Sequence, residues 1–264
     1  MELATKYLEI LGFDKTITSL DDIEKLIKAH ISTFSFSSMA VLLEDEISLD
    51  LESVYEKIVV NKRGGYCFEH NKLFYEVLKS LGFDVDFYLA RVVNNQDIQA
   101  PQTHRFTVLN YQKERYLVDV GFGYFCPNKP VKFIDNKSNS GLGYSHTVKQ
   151  NDGIYFLELV QKKTPYILYT FDLHSCYEVD FELGHFYSHK HPKAVFLNNL
   201  VFSLITEDCV YSLRNNGYQK ISKDKKENFT IESLEMFQDI LKNDFNSSFT
   251  DNESKYIYEK YVIN

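Results

Sequence analysis

The spacing of apolar residues changes period near residue 84, and that change limits the architectures open to this chain. Up to Gly82 the apolar side chains recur at helical intervals. Leu3, Tyr7, Leu8 and Leu11 form one stripe. Ile23, Leu26, Ile27 and Ile31 form a second behind Ser19, and Leu51, Val54, Tyr55 and Ile58 a third behind Asp50. Phe74, Val77, Leu78 and Leu81 form a fourth on a helix that begins near Cys67. One-sided stripes on four helices imply a bundle. From Val85 the period becomes two, with β-rich runs at Val85–Val93, His104–Leu109, Tyr116–Val120, Tyr155–Val160 and Tyr166–Phe171, separated by Asn, Gly, Asp and Lys clusters. An antiparallel sheet or barrel is expected there. Beyond it the pattern predicts a helix over Glu178–Tyr187, strands over Ala194–Ile205 and Val210–Leu213, and a last helix through Leu234, Phe237, Ile240 and Leu241. The class is therefore α+β. No low-complexity linker separates the three regions, which are expected to pack together.

Charge and composition narrow the function. The 264 residues carry 29 Lys and Arg against 37 Asp and Glu, a formal charge of −8. That excess argues against a nucleic-acid partner, because neutralising phosphates takes a basic face. No segment approaches the apolar length of a membrane span and the start lacks a signal-peptide pattern, so a cytoplasmic protein without a membrane partner is expected. The four cysteines form no CxxC pair, and neither a zinc knuckle nor a disulfide framework is signalled. With 19 Tyr and 21 Phe there is aromatic surface enough for a core and a pocket.

The most informative stretch is Arg63-Gly64-Gly65-Tyr66-Cys67-Phe68-Glu69-His70-Asn71, which sets a cysteine after a double glycine at the mouth of a helix. Unpaired amides and the positive end of the helix dipole favour an anion at that position. A thiolate nucleophile needs a proton acceptor, and the acceptor needs an orienting acid. His104 opens one strand of the next hairpin and Asp119 closes the other. With a two- or four-residue turn centred near Tyr111-Gln112 the pair would sit directly opposite each other. His70, one helical turn after Cys67, is the competing base, ranked second because no acid is placed to orient it.

Together with Thr103-His104 and Leu117-Val118-Asp119-Val120-Gly121-Phe122-Gly123, that stretch resembles the arylamine N-acetyltransferases in motif, order and spacing. The resemblance extends from Ile47–Glu52 to His191–Phe196. It implies a helical bundle over 1–83 that carries the nucleophile, a β-barrel over 84–185 that carries His and Asp, and an α/β lid over 186–264, around a papain-like Cys-His-Asp core. It implies acetyl-CoA as acyl donor, no metal, and an arylamine or hydrazine acceptor acetylated through an acetyl-Cys67 intermediate. Cys67 would be nucleophile, His104 base and Asp119 orienting acid. Gly65, Thr103 and Lys193 would lie against CoA, and Phe36, Tyr66, Phe122, Phe125 and Phe196 would line the acceptor pocket. One departure stands out: the family's Pro-Phe-Glu-Asn is Ser35-Phe36-Ser37-Ser38 here, so Arg63 needs another partner.

Two other readings use the same residues. A papain-like hydrolase would use water as acceptor and cleave amides or thioesters. A metal-binding protein would use His185, His189, His191 and Cys176, at a spacing that matches no recognised ligand set. The sequence leaves open whether Cys126, Cys176 or Cys209 reacts; Cys126, just past the acid, is the one to watch for oxidation.

Overall fold

The computed structural model describes residues 2–14, 16–134, 138–139, 142–161 and 164–263. The capping signals act as expected. Helix α1 spans Glu2–Ile10. Ser19 caps α2 (Leu20–Thr33): its hydroxyl accepts the Asp22 amide at 3.2 Å while the Asp22 carboxylate takes the Ser19 amide at 3.3 Å. The α2 stripe, Ile23, Leu26, Ile27 and Ile31, is buried against the bundle. Each such side chain contributes roughly 1.5–3 kcal/mol. A two-residue strand β1 (Phe36–Ser37) and a short α3 (Met39–Leu42) follow, neither signalled by the sequence pattern. Asp50 caps α4 (Leu51–Tyr55), which runs on as one π turn through Val60. Helix α5 (Cys67–Ser80) ends before Gly82.

Eight antiparallel strands form the central sheet: β2 (Asp84–Val92), β3 (Gln102–Tyr111), β4 (Glu114–Val118), β5 (Val131–Lys132), β6 (Ser138–Asn139), β7 (Tyr144–Asn151), β8 (Ile154–Gln161) and β9 (Thr164–Phe171), in the order β5-β4-β3-β2-β9-β8-β7-β6. A bridge between Phe133 and Val148 joins the β5 end to β7 and curls the sheet towards closure around Phe106, Leu117, Leu157 and Tyr169. The β3–β4 hairpin corrects one expectation. Its two turn residues are Gln112 and Lys113, both at positive φ, and Tyr111 faces Glu114. The register is therefore two residues away from the one expected, and Asp119, just beyond β4, lies diagonal to His104 rather than opposite it. Diagonal neighbours share a face, so the pair still converges.

The C-terminal part holds α6 (Glu178–Lys190), α7 (Val195–Asn198), β10 (Val201–Ile205), β11 (Cys209–Arg214), β12 (Gly217–Ser222), β13 (Lys226–Thr230), α8 (Leu234–Asp239) and α9 (Asp251–Ile257). The expected strand over Ala194–Ile205 is interrupted by α7. There Asn198 Nδ2 donates to the carbonyls of Pro192 and Ala194, and Asn199 Nδ2 to that of Val195, so side chains take acceptors that a ladder would use. The second sheet has the order β1-β10-β11-β12-β13, so residues 36 and 37 complete a sheet otherwise built from residues beyond 200. The expected break after residue 185 falls inside α6. No helix among the described residues is long and apolar enough to cross a membrane.

Candidate active site

Cys67 is the first residue of α5, and Glu69, fully buried, fixes that turn. One of its oxygens accepts the Tyr66 amide at 3.2 Å and the other the Lys57 ammonium at 2.6 Å. The Cys67 thiol is buried and donates to the Thr103 carbonyl at 3.5 Å. Thr103 is the extra residue of a β-bulge: Ala90 pairs with His104 and Arg91 with Gln102, which leaves 103 unpaired and bends β3 at the site.

His104 Nε2 donates to Asp119 Oδ2 at 2.8 Å, so Nδ1 is the nitrogen left for the sulfur. Burial alone would lower the basicity of this imidazole. The Asp119 charge and hydrogen bond, with a smaller contribution from Cys67, overcome that and push it up to about 10. Burial likewise opposes the Asp119 charge, but His104, Asn71 and the Gly121 amide hold the carboxyl below its ordinary value. The Asp119 carboxylate accepts four bonds. Oδ2 takes His104 and the Tyr169 hydroxyl (3.0 Å), and Oδ1 takes Asn71 Nδ2 (2.9 Å) and the Gly121 amide (2.9 Å). Asn71, one turn beyond Cys67, also donates to the Arg105 carbonyl (2.6 Å) and accepts the Val120 amide (3.0 Å), splicing α5 to β3 and to the segment after β4. Gly121 is needed for that approach, since a Cβ there would lie 2.8 Å from Cys67 Cα. Tyr169 was invisible to sequence reasoning, because nothing local marks one tyrosine of 19. Asn71 lay inside the motif, and its spacing of four from Cys67 was the available signal.

The competing base points elsewhere. His70 faces the bundle, its Nδ1 on His30 at 2.7 Å and its Nε2 on the Ser35 carbonyl at 3.1 Å. Burial there pushes it down to about 4. Among the aromatic candidates, Phe122 lies 5.3 Å from the His104 ring. Phe36, Tyr66 and Phe196 gather into one cluster, Phe196 being 5.7 Å from Phe36 and 5.5 Å from Tyr66. Phe125 packs instead on Tyr124 and Tyr144. A Cβ on Gly65 would meet the Ile58 side-chain tip at 2.9 Å and Glu69 at 3.1–3.2 Å, so a larger residue there would have to displace side chains. Lys193 is exposed on the turn after α6.

Two secondary expectations are corrected or filled in. Cys126 is buried, its thiol donates to the Asp119 carbonyl at 3.0 Å, and burial pushes it well up, which disfavours the thiolate that oxidation needs. Arg63 has found partners for the acid the chain lacks: Asp45 at 3.0 Å and Glu253 at 2.7 Å, with Phe249 beneath. Both ring nitrogens of His185 are engaged, by the Tyr66 hydroxyl and the Ile47 carbonyl. No group of three metal-capable side chains occurs among the described residues.

A buried thiol beside an imidazole held by a carboxylate is built to form and break bonds at an acyl carbon. A family profile described as N-acetyltransferase matches residues 19–253. The arylamine N-acetyltransferase of Escherichia coli is 33% identical over 184 residues, 69% of this chain and 66% of that protein. The one from Mycolicibacterium smegmatis is 28% identical over 246 residues, 90% of each. Among solved structures, that of the Mycobacterium marinum arylamine N-acetyltransferase in complex with CoA superposes with a TM-score of 0.92 at 24% identity, over 98% of this chain and 100% of that one.

Proposed function

Because the chain belongs to the arylamine N-acetyltransferase family, we propose that it moves the acetyl group of acetyl-CoA to the nitrogen of an arylamine or hydrazine in two half-reactions through acetyl-Cys67. The observation that carries this reading is the buried His104–Asp119 pair beside the thiol. His104 takes the Cys67 proton at Nδ1 and the sulfur attacks the thioester carbonyl. The bond from carbonyl carbon to the CoA sulfur breaks, and the imidazolium returns its proton to the departing thiolate. In the second half the amine attacks acetyl-Cys67, His104 removes the proton from nitrogen, and the carbon–Sγ bond breaks to restore the thiolate. The Cys67 amide, in a first turn whose N–H groups lack intrahelical acceptors, is placed to donate to both oxyanions.

CoA brings phosphate charge to a protein of net charge −8. We assign its approach to Thr103 beside the sulfur, Gly65 and the exposed Lys193, and the acceptor to the aromatic surface of Phe122, Phe36, Tyr66 and Phe196, with Phe125 further out. The relative from M. marinum, described in complex with CoA, supports the donor. Intact mass after mixing with acetyl-CoA and no amine tests the scheme. One added acetyl group is expected, lost on adding an arylamine and absent in Cys67→Ala. A Cys67→Ala protein that still turns over near the wild-type rate ends this reading.

A further inference from the structure

Helix α6 is apolar on two opposite faces, and only one of them is covered. The inner face, Phe181, Gly184, His185 and Ser188, is buried. Arg105 bonds Glu178 there at 3.1 Å through two nitrogens, with its guanidinium 4.4 Å from the Phe181 ring, and His185 bonds Tyr66. On the other side Val179, Leu183, Phe186 and Lys190 recur at i, i+4, i+7 and i+11. The three apolar members are 59%, 72% and 64% exposed, among the most exposed large hydrophobic residues described. Hydrophobic residues on both faces belong to a helix lying between two layers.

The charges on this outer face specify what covers it. Glu182 lies four residues before Phe186 and Lys190 four residues after, each about 6 Å along the axis from the phenyl ring. Both are exposed, and neither has an ion-pair partner among the described residues. We propose that the outer face of α6 is an isologous interface between two copies of this chain, with the helices antiparallel and crossing at Phe186. A two-fold axis there sets Phe186 against its copy. It also sets Glu182 beside the partner's Lys190 twice, whereas a parallel arrangement would oppose like charges. The single-helix footprint is small, so the dimer is reversible, with a Kd on the order of 10–100 µM.

Sedimentation velocity over a concentration series spanning about 1–500 µM reads the association directly. The wild type is expected to pass from monomer to dimer across that range. Glu182→Lys weakens association about tenfold or more by opposing two lysines, and Glu182→Lys with Lys190→Glu restores it to within about threefold. Leu183→Asp abolishes it. Far-UV circular dichroism and the ester-hydrolysis burst of each variant remain those of the wild type, because none of these side chains reaches the sulfur. A wild type that stays monomeric at the highest concentration overturns the proposal. That is the outcome expected if a different macromolecule covers the face, and a double variant that fails to regain association overturns the proposed Glu182–Lys190 pairing as well.

Discussion

Replacing Asp119 by asparagine keeps the shape of the site and inverts one hydrogen bond. Oδ1 faces two fixed donors, Asn71 Nδ2 and the Gly121 amide, so the amide oxygen of an asparagine must stay on that side. The NH2 then faces His104 Nε2, which can only accept, and the imidazole proton moves to Nδ1, the nitrogen that should take the thiol proton. The charge is lost as well. His104 stands near 10 against an ordinary 6.5, mostly because of Asp119. Removing most of that support costs roughly 4 kcal/mol, about a thousandfold. The wrong tautomer adds to this, and in serine triads the same change lowers kcat by about 10⁴. The assay is the stopped-flow burst of p-nitrophenolate from p-nitrophenyl acetate, which isolates transfer to sulfur. Asp119→Asn should slow the burst by three to four orders of magnitude with an unchanged circular dichroism spectrum. A burst within tenfold of the wild type would refute the orienting role.

Gly121→Ala forces a methyl group to within 2.8 Å of Cys67 Cα and 2.7 Å of Asn71 Nδ2. It should lower stability by about 1–3 kcal/mol in urea titration and cut the burst rate more than the stability loss explains. Unaltered kinetics would show that the close approach is irrelevant. Burial pushes His70, His146 and His185 down to about 4. Between pH 6.5 and 4 the unfolded chain therefore binds protons that the folded one refuses. The stability these groups support is complete above 6.5 and is lost as pH falls towards 4. His104, raised, acts in the opposite sense, complete below 6.5 and lost as pH climbs through about 10. Urea midpoints should drop across the acid window, and His146→Gln, which keeps a donor for the Phe125 carbonyl, should flatten the drop; an equal slope in both proteins contradicts this.

The parts of the site legible in the sequence are those written locally. A cap residue before an apolar stripe, as at Ser19 and Asp50, predicts a helix start because the signal and the structure occupy the same few residues. The same holds for Cys67 after its glycines. What depends on turn geometry is less legible. Gln112 and Lys113 adopt a conformation that Asn-Gly usually announces, so nothing local marks the turn and the true register lies two residues from the one the sequence suggests. Strand β7, Tyr-Ser-His-Thr-Val-Lys-Gln-Asn, has too few apolar residues for any alternation to show, and its pairing with β8 supplies what its own pattern lacks. Tyr169 reaches Asp119 from 50 positions away, and no local rule links them.

Strand β1 has a consequence for how the nucleophile and the C-terminal sheet can move. Phe36 and Ser37 pair with Ser203 and Phe202, the Ser37 amide donates to the Gly65 carbonyl at 2.7 Å, and the Ser38 amide to that of Val201 at 3.0 Å. These bonds rivet the turn that carries the sulfur to the C-terminal sheet, and Arg63 adds a clasp to Glu253. A hinged opening of that sheet would tear the backbone directly ahead of the nucleophile. The turn that carries the sulfur and the C-terminal sheet are therefore expected to move as one body.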